Sequence, residues 1–86
     1  MNKDRVLNKV LSGASDANVR FEDLCRLLDG LGFQMRVRGS HHVFRRDGID
    51  DLINLQREGS DAKPYQVRQV RAVIVKHRLV GDGDTP

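Results

Sequence analysis

Apolar residues recur at helical spacing in two segments of the first third of the chain. In residues 3–12 they fall on one side of a helix, and Gly13 follows where a helix C-terminus favours glycine. From Phe21 onward, leucines repeat at i, i+3, i+4 and i+7, and Gly30 and Gly32 close the stripe. The pattern predicts two helices, whose apolar positions are Val6, Leu7, Val10 and Leu11 in the first and Leu24, Leu27, Leu28 and Leu31 in the second.

Strict alternation of apolar and polar residues replaces the helical spacing after residue 32. Residues 33–38 alternate, which predicts a half-buried strand with one basic side. The turn dipeptides Gly39-Ser40 and Asp47-Gly48 then bound a second strand over residues 41–46, and a third strand is predicted over residues 49–56. Two tight turns predict a meander of three antiparallel strands.

A last helix is predicted to begin at Pro64, because proline is well tolerated in the first turn of a helix. Apolar spacing continues through Val67, Val70, Ile74 and His77, although Val73 and Val75 would also suit a strand. Residues 81–86 have nothing apolar to bury, so we expect a disordered tail there. The order predicts one α+β domain over residues 1–80, with the helices on one face of the three-stranded antiparallel sheet.

Size and composition restrict the function. A chain of 86 residues, 38% of them hydrophobic, holds one small core and leaves no room for a separate cofactor domain. The single cysteine, Cys25, excludes an intrachain disulfide and cysteine-rich zinc frameworks, and its place beside the leucine stripe predicts a buried side chain. No apolar run approaches the ~20 residues that span a membrane. We therefore expect a cytoplasmic protein that uses neither a membrane nor a small-molecule cofactor.

Positive charge is concentrated in the second part of the chain. Residues 1–32 carry five basic and five acidic side chains, whereas residues 33–79 carry ten basic and five acidic ones. Such a segment is a modest electrostatic signature of nucleic-acid binding, and an ordinary solvated surface explains it equally well. Glycine-rich phosphate loops, catalytic serine motifs and an aromatic stacking pair are not visible.

Two adjacent histidines open the second predicted strand. Successive residues of a strand point to opposite sides, so His41 and His42 cannot face the same environment. Phe44 should face the core and shares its parity with His42. His41 then shares the open face with Val43 and Arg45, which makes His41 the candidate for chemistry, since imidazole transfers protons near neutral pH.

The open-face histidine lies between arginines on both sides. Arg36, Arg38 and Arg45 would compensate charge on a phosphorane-like transition state while His41 exchanges a proton with a ribose 2′-hydroxyl or a departing 5′-oxygen. The alternatives are a surface turn histidine without chemistry, or a metal site. Adjacent strand histidines diverge and His77 is distant in sequence, so we expect no metal.

Basic residues on the last helix give a second candidate surface. Arg68, Arg71 and Arg78 fall close to one side of the predicted helix, and Lys63 precedes it. Together they could grip a phosphate backbone, or they could form a solvated helix face.

Three motifs of the chain carry a family resemblance. They are Leu-Gly-Phe at residues 31–33, Gly39-Ser40-His41-His42-Val43-Phe44, and Ala62-Lys63-Pro64. Together they resemble the HicA toxin family over residues 21–79. That resemblance implies a double-stranded-RNA-binding-domain-like fold, metal-independent cleavage of mRNA by a histidine, and neutralisation by a HicB-like antitoxin. By motif the catalytic role carries over to His41, with His42 as second candidate.

The chain departs from that family at two places. The segment before Val19 adds a helix, which could cover the sheet edge, form a dimer contact or change antitoxin docking. Tyr65-Gln66 replaces the Gly-Thr that commonly follows Lys-Pro.

The function predicted from the sequence is that of a small toxin ribonuclease, and the alternative is a non-catalytic RNA-binding or adaptor module. The residues predicted to contact RNA are Arg36, Arg38, Gly39, Ser40, Arg45, Lys63, Arg68 and Arg71.

Overall fold

The computed structural model describes residues 3–79 and has three α-helices and a three-stranded antiparallel sheet. A 3₁₀ turn over Asp16–Asn18 joins the first two helices. The sheet order is β1-β2-β3. The predicted α+β class is confirmed, and its order after the first helix is α-β-β-β-α. The elements are α1 (Lys3–Ser12), α2 (Phe21–Gly30), β1 (Gln34–Arg38), β2 (His41–Arg45), β3 (Ile53–Gln56) and α3 (Pro64–His77).

The predicted disordered tail, residues 81–86, lies outside the described residues. The boundaries of the predicted single domain, residues 1–80, also extend beyond them and stay a prediction. Within residues 3–79 the buried apolar side chains form a continuous cluster that extends from Val6 in α1 to Leu79 after α3.

The ends of α2 and α3 follow from local chemistry. The Leu31 N–H donates to the carbonyl oxygens of Leu27 and Leu28, and Gly32 then takes a φ of 94°, which favours glycine. At the start of α3, the Lys63 N–H donates to Gln66 Oε1 at 3.0 Å. These bonds give partners to backbone polar groups at the end of α2 and at the start of α3.

Gln66 also ties α3 to the sheet. Its side chain is buried, and its Nε2 donates to the carbonyl oxygen of Gln56, the last residue of β3, at 2.9 Å. The Gln66 side chain therefore fixes the start of α3 against the end of β3. The departure at Tyr65-Gln66 thus has a structural role at its second residue.

Cross-strand register assigns every strand residue to one of the two faces of the sheet. Phe44 pairs with Ile53 and His42 pairs with Leu55, which places these side chains on the face that the helices cover. His41 lies on the opposite, open face. The predicted parity of the two histidines is confirmed.

The prediction of a half-buried strand over residues 33–38 is confirmed at Phe33, which precedes β1 and is buried, and is wrong for β1 itself. All five residues of β1 are exposed, and Met35 and Val37, on the helix side, are each 50% exposed. The helix layer covers β2 and β3, where Phe44, Ile53 and Leu55 are fully buried. Because β1 is an edge strand, its apolar side extends beyond that cover.

The third strand is shorter than predicted. It begins at Ile53, and the chain between β2 and β3 is a loop in which the Ile49 N–H donates to the Arg46 carbonyl oxygen at 3.1 Å. Ile49 packs against the core, whereas Leu52 remains 56% exposed beside the strand.

Candidate active site and nucleic-acid interface

The open face of the sheet carries arginine, amide and histidine side chains. By register, the side chains that share this face alternate along all three strands. No carboxylate occurs among them in the described strands, so the face has a positive potential that favours phosphate. The residues are Gln34, Arg36, Arg38, His41, Val43, Arg45, Asn54 and Gln56.

His41 lies in the middle strand of this face, between Arg38 of β1 and Gln56 of β3. The imidazole is exposed, and its Nδ1 lies 3.4 Å from Asn54 Oδ1. When Nδ1 carries the proton it donates to this oxygen, and Nε2 is then the nitrogen with the lone pair. The contact to Asn54 is compatible with the tautomer that accepts a proton at Nε2.

His42 lies on the other side of the same strand and has structural partners. Its ring meets the Phe21 ring edge-on, with centroids 5.0 Å apart and an interplanar angle of 78°. Its Nδ1 lies 3.2 Å from the Ser40 carbonyl oxygen. Arg57 covers the same Phe21 ring at 5.1 Å. His42 thus holds the β1–β2 turn against α2.

The turn before His41 depends on a glycine. Gly39 has a φ of 59°, and a Cβ there would meet no atom within 4 Å, so conformation rather than space requires glycine. The Ser40 carbonyl oxygen also accepts the Arg57 N–H at 2.9 Å. This anchor, after the end of β3, fixes where β2 and His41 begin.

Comparison with known proteins decides the family. The sequence model of the family described as the HicA toxin of bacterial toxin-antitoxin systems matches residues 21–77, from the start of α2 to the end of α3. The chain belongs to the HicA toxin family. No curated protein and no solved structure matches it closely. As a member of this family it is a toxin of the toxin-antitoxin type, and α1 lies before the matched HicA region.

The basic residues predicted to bind RNA in this HicA family member occupy two separate surfaces. Arg36, Arg38 and Arg45 surround His41 on the open face. Lys63 and Arg68 are exposed on the helical layer, and Lys63 Nζ lies 3.8 Å from Glu58 Oε1. The structure therefore does not bring these two together with His41.

Arg71 has a structural role that the sequence does not reveal. Its Nη1 and Nη2 donate to the two carboxylate oxygens of Asp16 at 2.8 and 3.1 Å, and Nη1 also donates to the Val10 carbonyl oxygen at 3.0 Å. The hydrogen bond from Arg71 holds the pKa of Asp16 below its usual range, and the same bond raises the pKa of Arg71. The guanidinium thus joins α1 and the 3₁₀ turn to α3, and the phosphate contact of Arg71 stays a prediction.

A second set of polar contacts holds the C-terminal end of α3 to a neighbouring loop. His77 Nε2 is 2.7 Å from Asp51 Oδ2, and Lys76 Nζ is 3.2 Å from the same oxygen. These hydrogen bonds, from His77 first and Lys76 second, lower the pKa of Asp51. The contact holds the β2–β3 loop to α3.

Cys25 is a packing residue. It is partly buried against the core cluster, and burial raises the pKa of its thiol to about 11. At neutral pH the thiol is protonated and a poor nucleophile. The predicted packing role is confirmed, but the predicted burial of the side chain is only partial.

Within residues 3–79, no group of three or more histidine, cysteine, aspartate or glutamate side chains is placed to hold a metal ion. In the same part of the chain, no helix has the length and apolar character needed to cross a membrane.

Asn54 is the site residue that sequence reasoning missed. The alternation of the third strand placed it opposite to Ile53 and Leu55, on the same face as His41. Its pairing with Val43 brings it beside the histidine. A polar residue on the open parity of the neighbouring strand was the available signal.

Proposed function

We propose that this HicA family member is an endoribonuclease that cleaves mRNA without a metal, with His41 as the proton-transfer residue. The observation that carries the proposal is the exposed His41 imidazole, oriented by Asn54, on a face with arginines and no carboxylate in the described strands. An anionic substrate is attracted to such a face, and a neutral imidazole there can act as a base.

The chemistry that fits one histidine is internal transesterification. His41 Nε2 takes the proton of a ribose 2′-hydroxyl, and the 2′-oxygen forms a bond to the adjacent phosphorus. The bond from phosphorus to the 5′-oxygen breaks, and that oxygen receives a proton from the imidazolium or from water. The products are a 2′,3′-cyclic phosphate and a 5′-hydroxyl. A single group of this kind contributes roughly 10²- to 10⁴-fold, so the enzyme is slow.

The arginines on the open face supply the electrostatic part of the reaction. Arg38 is the direct cross-strand partner of His41, and Arg36 pairs with Val43 one step along the sheet. Their guanidinium groups are proposed to bind the scissile phosphate and its neighbour, and to stabilise the charge that develops on the phosphorane. Gly39 and Ser40 position the histidine through the turn. His42 remains the second candidate for the catalytic role.

Other contacts extend from this centre. Arg45 is proposed to hold RNA on the open face, whereas Lys63 and Arg68 would reach RNA only where it passes the helical layer. A HicB-like antitoxin is proposed to neutralise the toxin by covering the His41 face. Because mRNA is the target, the site of action is the cytoplasm.

The test is cleavage of a labelled single-stranded RNA by purified protein in excess EDTA. Wild type should cut and leave 5′-hydroxyl and 2′,3′-cyclic phosphate ends. His41→Ala should lose at least 100-fold in rate while its circular dichroism spectrum stays unchanged. His42→Ala tests the second candidate and should keep its rate per folded molecule. Products with only 3′-hydroxyl ends would refute the mechanism. RNA binding without cleavage would favour a non-catalytic RNA-binding or adaptor module.

A further inference from the structure

A shallow hollow lies on the open face, further along the strands than His41. It encloses about 330 Å³, a volume within the range of sites that bind small organic groups. The residues that line it are Gln34, Met35, Arg36, Val43, Arg45 and Leu52.

The position of the hollow relative to His41 is set by β2. Val43 follows His41 by two residues and faces the same side, so the hollow begins about 7 Å from the imidazole along the strand. The extended backbone of single-stranded RNA covers that distance in about one nucleotide step. A phosphate at His41 therefore places a neighbouring nucleoside over the hollow.

The lining suits a nucleobase. Val43 and Leu52 provide an apolar floor, and Leu52 is 56% exposed, a large aliphatic surface left in water by the fold. Arg45 provides a planar guanidinium group that can stack on a base, and the Gln34 amide can both donate to and accept from a base edge.

The charges around the hollow favour one side of the open face for the phosphates of the RNA. Beyond Leu52, the adjoining surface is lined by Asp47 and Asp50 together with Arg45 and Arg46, so its charges balance. Arg36 and Arg38 on β1 have no carboxylate beside them in the strands and attract phosphate more strongly. The phosphates are therefore expected along the β1 side of the face, with the base directed towards Leu52.

We propose that this hollow is a subsite for one unpaired nucleobase of the RNA, next to the phosphate that His41 cleaves. The inference rests on the proposed ribonuclease function for the position of the cut. It deepens that function by giving the enzyme a base preference at one position beside the scissile bond.

The first test is the distribution of cuts in a long single-stranded RNA. Leu52→Ala should reduce the preference for the favoured base at one flanking position by severalfold, and Gln34→Ala should change which base is favoured. The matched control is Val75→Ala, since Val75 is an equally exposed aliphatic residue, 61% exposed, on α3. Val75→Ala should leave the distribution unchanged. An unchanged distribution in Leu52→Ala and in Gln34→Ala would overturn the subsite.

The second test is independent of cleavage. The full chain carrying His41→Ala is titrated with a short single-stranded RNA while the methyl signals of Val43 and Leu52 are followed by NMR. Those signals should shift, and the Val75 methyl signals should not. An oligonucleotide without bases should fail to shift them.

The outcomes separate the two hypotheses. Methyl shifts with RNA, combined with no cleavage by wild type, would retain the base-binding site and reject the ribonuclease function. Cleavage by wild type without methyl shifts would retain the function and reject the subsite. Shifts only on addition of an antitoxin would also reject the subsite, because the hollow would then belong to a protein interface.

Discussion

Substitution of the two histidines should separate stability from chemistry. His42 faces the helices and contacts Phe21 and the Ser40 carbonyl oxygen, whereas His41 is exposed on the open face. His42→Ala should therefore lower the free energy of unfolding and leave RNA cleavage per folded molecule unchanged. His41→Ala should abolish RNA cleavage and leave the free energy of unfolding nearly unchanged.

The magnitude follows from the contacts of His42. An edge-on ring pair contributes about 0.5 to 1.5 kcal/mol, and a neutral hydrogen bond contributes about 0.5 to 1.5 kcal/mol. Because the His42 side chain is only partly buried, we expect a loss of about 1 to 2 kcal/mol. Domains of this size have about 4 to 13 kcal/mol of stability in total. The same reasoning gives less than about 0.5 kcal/mol for His41→Ala, whose contact to Asn54 is long and exposed.

The assay is urea unfolding followed by circular dichroism, with the midpoint and the slope fitted separately. A lower midpoint at constant slope reports a change in stability. His42→Phe keeps the ring against Phe21 and removes the hydrogen bond to Ser40, so it should recover about half of the loss. Equal destabilisation by His41→Ala and His42→Ala would refute the assignment of faces. A catalytic loss in folded His42→Ala would move the chemistry to the other side of the sheet.

Three other perturbations test the supporting contacts. Arg71→Ala should lower the melting temperature, because it breaks the pair with Asp16, whereas Arg68→Ala on the exposed side of α3 should change it little; equal effects would contradict the structural role. Asp51→Asn should make stability less dependent on acid: the lowered pKa of Asp51 gives stability that is present above about pH 4 and is lost as pH falls through the lowered value. A variant as acid-sensitive as wild type would rule this out. Asn54→Leu should slow cleavage and Asn54→Asp should retain it with a pH optimum moved upward, because a carboxylate favours the protonated imidazole; an unmoved pH–rate profile would exclude positioning by Asn54.

Periodicity was sufficient to predict the elements and the facing of the histidines. The first helix has the predicted bounds, Lys3–Ser12, and α2 and α3 begin at the predicted Phe21 and Pro64. The side of the sheet that each histidine faces could be predicted because side chains in a strand alternate with a period of two. Phe44 faces the core, so His42, two residues earlier, faces it too. These are local properties of the sequence.

Exposure and long-range pairing could not be predicted from the sequence. Whether Met35 is covered depends on how far the helices extend across the sheet, which an alternating pattern does not contain. The Arg71 pair depends on Asp16, a residue 55 positions earlier. Arginine spacing on a helix looks the same whether the side chains bind RNA or another part of the chain. The Asn54 contact to His41 likewise requires the register between β2 and β3.

Because α1 packs into the core, the segment that folds together is longer than the segment that matches the family. The family match begins at residue 21, yet Val6, Leu7 and Val10 are buried in the same apolar cluster as the residues of α2 and α3. Each such side chain contributes about 1.5 to 3 kcal/mol when buried, so the three together rival the total stability of a small domain. A fragment trimmed to residues 21–77 would expose that surface and lose the Asp16 partner of Arg71. Exchange of segments between relatives should therefore transfer α1 together with α2 and α3, as one cooperative piece.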